Sequence, residues 1–348
     1  MTGTSPPVQL SGIRIALALG GGNALGAYHA GLYQALDEAG IQPDWILGTS
    51  IGAITGAIIA GNPREQRLAR LRGFWRPADA AASWLLPTDF LPESWRRSGA
   101  VLATLLAGRP GLFGPIGSGP SAWLHPASAA PALYATEVLE GTLAALIDFE
   151  LLNRAQPRFT AAAIDVVSGE EVLIDSTAGS LRPEHLRASA ALLTTYPAIE
   201  VDGRVLADGG LSMNLPIDPV LAEPGERPVL CIGSDLLPLS DSPPKTLGET
   251  VSRMQDLIFA AQTRRTVEKW QAIYDARLAS AENVSSVTLA LLSYADQEQE
   301  VAGKAMDFSP ETVRQRWKSG HRDGCRLLDR LRSGALPTGL PGLAVQRL

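Results

Sequence analysis

Residues 45–60 constrain this chain more than any other stretch. An apolar run, Trp45-Ile46-Leu47, leads into Gly48-Thr49-Ser50-Ile51-Gly52. An alanine- and isoleucine-rich run, residues 53–60, leads out and stops at Gly61-Asn62-Pro63. The pattern predicts a strand, a sharp turn carrying a serine, and a helix. Glycines must flank such a serine because Cβ atoms there would clash. The helix start aims its free N–H groups and positive dipole end at the turn. Gly-x-Ser-x-Gly alone can arise by chance in a chain with 34 glycines. The stretch before it adds the missing weight. Gly20-Gly21-Gly22-Asn23-Ala24-Leu25-Gly26 reads as a second strand-loop-helix junction, one βα unit earlier, able to set backbone donors beside a nucleophile.

The rest of the chain fits an α/β reading. Residues 13–19 (IRIALAL) read as a buried strand of a parallel sheet. Residues 27–39 carry Tyr28, Leu32, Leu36 and Ala39 at helical spacing, with Gly40 placed to end the helix. Alternating strands and helices predict a parallel arrangement whose site lies at the carboxyl ends of the strands. Further helices are expected at residues 64–75, 133–147 and 183–192. Hairpins are expected around Ser168-Gly169 and Asp202-Gly203, the second delivering Asp208-Gly209-Gly210. A buried strand at 229–233, a long helix at 246–279, a strand at 287–294 and a helix capped at Ser309-Pro310 follow. Residues 77–131 change character, with Pro, Gly, Ser and three tryptophans (Trp84, Trp95, Trp123) around an apolar stretch at 101–107. They read as an insertion near the pocket, or as a long surface loop anchored by tryptophans.

Composition removes several function classes. A net charge of −6 without a basic run argues against nucleic-acid binding. Two cysteines, Cys231 and Cys325, stand far apart, and Cys231 lies in an apolar run, so a buried thiol is expected rather than a metal or redox pair. No Asp/His cluster has metal-ligand spacing. Gly20-x-Gly22 with Gly26 fits a dinucleotide fingerprint loosely. Gly48 stands where the ribose-binding acid would close the second strand, so no cofactor is expected. No apolar run reaches the ~20 residues that span a bilayer, and residues 1–11 lack the blocks of a signal peptide. The expectation is a cytoplasmic protein, with peripheral contact to a lipid surface allowed.

The glycine loop, the Gly-Thr-Ser-Ile-Gly turn one βα unit later, and the distant Asp208-Gly209-Gly210 together resemble the patatin-like phospholipase family. Ala188-Ser189-Ala190 and Pro197 before the second hairpin are also similar to it. The resemblance covers roughly residues 13–234 and implies a layered α/β fold, a central mainly parallel sheet flanked by helices. Residues 235–332 resemble a mainly helical C-terminal extension of one bacterial branch, with tails at 1–12 and 333–348. The resemblance implies a serine acyl hydrolase with a Ser–Asp dyad: Ser50 as nucleophile, Asp208 as general base, and the N–H groups of Gly20, Gly21, Gly22 and Asn23 as the oxyanion hole. The chain departs from the family in two places. Asn23 replaces a glycine, which a left-handed backbone tolerates. Leu25 replaces a basic residue.

Each residue has a plainer reading. Asp-Gly-Gly alone is an ordinary turn. A Ser…Asp…His triad in chain order would use His321, which instead sits on an amphipathic helix as a surface histidine. His29 reads as a packing residue beside the glycine loop. The expected function is hydrolysis of lipid acyl esters, without metal or cofactor. The rival readings are an intracellular polyester hydrolase with the same dyad and a non-catalytic lipid-surface binding protein.

Overall fold

The computed structural model describes residues 10–76, 92–116, 131–280 and 283–348. Trp84, Trp123, His125 and most of the N-terminal tail lie outside the described residues. In chain order the elements begin with β1 (Arg14–Leu19), α1 (Ala27–Glu38), β2 (Trp45–Thr49), α2 (Ile51–Ala60) and α3 (Arg64–Trp75). Next come α4 (Glu93–Ala107), the short pair β3 (Gly114–Pro115) and β4 (Tyr134–Ala135), α5 (Glu137–Leu146) and α6 (Phe149–Leu152). They continue with β5 (Arg158–Asp165), β6 (Glu171–Asp175), α7 (Pro183–Ser189), β7 (Ile199–Val201) and β8 (Arg204–Asp208). The last are α8 (Asp218–Ala222), β9 (Val229–Asp235), α9 (Leu247–Ala279), β10 (Ser286–Ser293), α10 (Pro310–Arg332) and β11 (Gly342–Arg347).

Strands β11-β10-β9-β1-β2-β5 run parallel, and β6, β7 and β8 add antiparallel pairs at one end. Side-chain alternation along each strand builds two cores. Leu17, Leu19, Ile46, Leu230 and Ile232 face the side covered by α1, α2, α3 and α10. Ala16, Ala18, Trp45, Leu47, Cys231 and Leu289 face α8 and α9. Both faces being covered explains why these strands are apolar throughout. Cys231 is fully buried, and burial pushes its thiol up to about 12, as a packing cysteine should behave.

The sequence-level elements appear at the expected places, with differences at the ends. The Asp202-Gly203 turn has positive φ at both residues (51° and 75°), the geometry of a two-residue hairpin. Thr246 and Glu249 cap α9 reciprocally. Ser309 holds the cap position of α10, but its hydroxyl donates to Thr312, while Asp307 accepts from the Ser309 N–H and the Thr312 hydroxyl. Residues 134–135 form a strand rather than the start of a helix, because Tyr134 is drawn into an aromatic cluster with Phe113 and Tyr196. The expected frayed end is a correction. Residues 342–347 form β11, parallel to β10, with Leu343 buried against α9. The segment after residue 235 therefore contributes two strands of the sheet beside its helices.

Candidate active site

The head-to-head meeting of two strands builds the site. β5 carries β6 along one edge, from Thr160 to Ile164. Its other edge is shared: β2 pairs with residues 158–162, and β8, running the opposite way, pairs with residues 163–165. Thr49, the last residue of β2, sits opposite Ala162, and Asp208, the last of β8, sits opposite Ala163. The two carboxyl ends thus converge on one point, and the residue after Thr49 is Ser50. The Asp208 carboxyl lies close enough to the Ser50 side chain to be stabilised by it, and accepts the Gly210 N–H at 2.7 Å. Gly209 must be small here, since a Cβ would lie 2.5 Å from the Ala162 carbonyl.

Ser50 sits at φ 57° and ψ −124°, a conformation costly for any side chain and sustained only by its surroundings. The flanking glycines supply them. A Cβ on Gly48 would lie 2.4 Å from the Ala53 nitrogen, and one on Gly52 would lie 2.1 Å from the Leu19 carbonyl. The Ser50 N–H donates to Ser189 Oγ (3.2 Å), whose hydroxyl donates to the Ala162 carbonyl (2.6 Å). Thr49 Oγ1 donates to the Met213 carbonyl at 2.8 Å. The turn is therefore pinned from β5, α7 and the loop after Asp208.

Asp208 is fully enclosed. Burial pushes its carboxyl from 3.8 up to about 6, against the pull of the Ser50 side chain and the Gly210 N–H. Desolvation wins because two donors do not replace the water a carboxylate loses.

The glycine loop corrects one expectation. The Gly20 N–H donates to the Ser234 carbonyl (3.0 Å) and the Gly21 N–H to the Asn214 carbonyl (3.2 Å). Both amides hold the loop in place and are not free donors. Those of Gly22 and Asn23 have no acceptor among the described residues. Asn23 adopts φ 51°, the left-handed backbone that asparagine accepts, and its side chain donates to Tyr196 Oη (3.3 Å) and Met306 Sδ (3.5 Å). Gly21 passes so close to the turn that a Cβ would lie 3.3 Å from Ser50 Cβ and 2.6 Å from Asn214 Oδ1.

No described histidine is hydrogen-bonded to Ser50 or Asp208. His321 pairs with Glu38, and His185 pairs with Asp202. His29 is buried, with Nε2 2.8 Å from the Gly20 carbonyl and Nδ1 2.9 Å from Ser234 Oγ. Burial lowers it to about 4, so the ring is neutral and bridges the loop to β9. Replacing it with phenylalanine leaves the Gly20 carbonyl and the Ser234 hydroxyl buried without that partner. We expect His29→Phe to lower kcat on a soluble ester at least tenfold, with KM within about threefold. Wild-type kcat would show that the bridge does not position the loop.

Sequence reasoning missed Asn214, Gln262, Tyr196 and Met306. Gln262 accepts the Asn214 N–H (2.8 Å) and donates to the Gly210 carbonyl (3.0 Å), fastening α9 to the aspartate turn. Only an Asn-Leu-Pro run six residues after Asp208 hinted at the first; the others lie too far along the chain for any local pattern to find.

Two family models match the chain: patatin-like phospholipase over residues 17–221, and patatin phospholipase over residues 247–337. An uncharacterised NTE family protein of Mycobacterium bovis is 28% identical over 243 residues, covering 69% of this chain and 55% of that protein. A lysophospholipase of Mycosarcoma maydis is 28% identical over 246 residues, 70% of this chain and 11% of that protein. The chain thus spans about half the length of the first relative and about a tenth of the second. Among solved structures, VipD of Legionella pneumophila aligns with a TM-score of 0.43 at 15% identity, over 91% of this chain and 67% of that one. With its first family model covering well over half of its length, the chain belongs to the patatin-like phospholipase family.

Proposed function

We propose that this chain is a serine acyl-ester hydrolase acting on lipid esters, with Ser50 as nucleophile and Asp208 as general base. The observation that carries this reading is the Ser50 side chain set beside a buried carboxyl where β2 and β8 converge, on a turn held at positive φ. In the first step the Asp208 carboxylate takes the proton from Ser50 Oγ as the oxygen adds to the ester carbonyl. The negative charge on the tetrahedral carbonyl oxygen is met by the Gly22 and Asn23 amides, each such donor contributing about 3 kcal/mol. Collapse breaks the ester C–O bond, and the Asp208 proton passes to the leaving alcohol. Water then adds to the acyl-serine, with Asp208 again taking a proton, and releases the fatty acid and free Ser50.

The lipid substrate is supported by apolar surface beside the site. Phe259 of α9 packs near Gly210, and the same helix exposes Leu247, Val251, Met254, Leu257 and Ile258. Leu211, three residues after Asp208, is also exposed. A stripe of this kind marks contact with an apolar partner. On α4, Trp95 is 71% exposed, with Leu102, Leu105 and Leu106 exposed on the same helix. No helix among the described residues is long and apolar enough to cross a membrane.

The direct test is chemical. A fluorophosphonate probe should label the protein once, at Ser50, and Ser50→Ala should not be labelled. Undiminished labelling of Ser50→Ala would refute the assignment. The pH profile is a second test. The base works only as carboxylate, and burial sets its titration near 6. We therefore expect kcat/KM to rise with pH through about 6 and level off above about 7. A profile flat down to pH 4.5 would mean that Asp208 is not the base.

A further inference from the structure

A groove of about 430 Å³ lies between α1, α3 and α10, lined in part by Arg72, Trp75, Arg314, Trp317, Lys318 and His321. It uses neither Ser50 nor Asp208. We propose that it binds the phosphate group of an organic phosphate ester.

Charge is the first argument. In a chain of net charge −6, three cations line this one groove: Arg72, Arg314 and Lys318 make no hydrogen bond or ion pair among the described residues, and Arg72 and Arg314 feel Glu38 and Glu311 only at longer range. The acids nearby are already engaged. Glu38 holds His321 at 2.7 Å and accepts from Gln34 at 2.7 Å, and Glu311 pairs with Arg96 at 2.6 Å. Two guanidinium forks and an ammonium match the oxygens of a phosphate in number and charge.

The second argument is independent of charge. Trp75 is 3% exposed, forms part of the groove wall, and its indole Nε1 is buried with no hydrogen-bond partner. A buried indole N–H normally finds an acceptor. A phosphate oxygen seated among the cations would supply one. Beside it, Trp317 is held by its own Nε1 donating to Gln34 Oε1 (2.6 Å), and with Val313 it offers apolar surface to the ester's organic part.

The phosphate can come from a soluble ester or from a bilayer headgroup, and two probes separate these sources. Calorimetry measures glycerol 3-phosphate; sedimentation measures vesicles of phosphatidylcholine with and without phosphatidic acid. We expect binding that weakens with salt, and at least tenfold weaker binding by the triple variant R72Q/R314Q/K318Q. Those side chains make no hydrogen bond or close ion pair among the described residues, so the fold and soluble-ester turnover should be unchanged. Trp75→Phe, which deletes only the indole N–H, should also bind more weakly. Binding of both probes supports recognition of the phosphate itself; binding of phosphatidic acid vesicles alone assigns the site to a headgroup. Absence of binding to either probe, or wild-type affinity in the triple variant, overturns the proposal.

Discussion

Asp208→Asn should lose at least about a thousandfold in ester turnover while unfolding, at pH 7.5, at a temperature no lower than the wild type. The two outcomes share one cause. In the proposed mechanism the carboxylate is the base, and a positioned base contributes between a hundredfold and ten-thousandfold. Its enclosure is also a strain on the fold. With the carboxyl moved from 3.8 to about 6, ionisation in the folded state costs about 3 kcal/mol. A raised carboxyl favours the folded state while protonated, and that contribution is lost as pH rises from about 4 through 6. Asparagine stays neutral and can still accept the Gly210 N–H, so the variant should gain on the wild type above pH 6 and converge with it below pH 4. Asp235 is also pushed up to about 6 by burial, held by Thr263 and the Leu237 N–H. It is unchanged in the variant, so the difference between the two proteins isolates Asp208. Retained activity with an intact circular dichroism spectrum would remove Asp208 from the mechanism. If His321→Gln matched this loss instead, a triad would replace the dyad.

Gly31→Ala and Gly320→Ala should each destabilise the protein by about 3 kcal/mol or more, lowering the melting temperature by at least roughly 5 °C. A Cβ on Gly31 would lie 1.9 Å from the Trp317 carbonyl, and one on Gly320 would lie 1.9 Å from the Tyr28 carbonyl. Both obstacles are backbone, so no rotamer change relieves them and α1 must separate from α10. The loss should reach the site too, since α1 follows directly from the glycine loop and Met306, just before α10, touches Asn23. Gly141→Ala on α5 is the control. Nothing lies within 4 Å of its Cβ position, and alanine there should stabilise by about 0.5–1 kcal/mol. Equal melting temperatures for Gly31→Ala and wild type would show that the two helices are free to move apart.

Much of the fold could be read from the chain because its signals are local. The near-continuous apolar run of residues 13–19 and the Asp202-Gly203 hairpin each depend on residues within one element. Residues 342–347 were unreadable for the opposite reason. Six residues of mixed character become a strand only because β10 offers them an open edge. The glycine loop lies between these cases. Its place beside the serine turn was legible, and Asn23 adopts the left-handed backbone its side chain permits. Which amides remain free was not legible. Ser234 and Asn214, 214 and 193 residues further along the chain, take those of Gly20 and Gly21.

The sequence by itself determined the kinds of groups available: a serine on a glycine-flanked turn, an aspartate on a tightened hairpin, and a loop of small residues one unit upstream. These follow from steric rules acting within a few residues. Tertiary structure alone decided that the serine and the aspartate meet. β2 and β8 compete for the same edge of β5 from opposite directions and stop at Ala162 and Ala163. Hydrogen-bond register between strands 159 residues apart, each paired to β5, sets that stopping point. The same packing closes Asp208 off from water and moves its titration to about 6, a property no reading of the residue alone could assign.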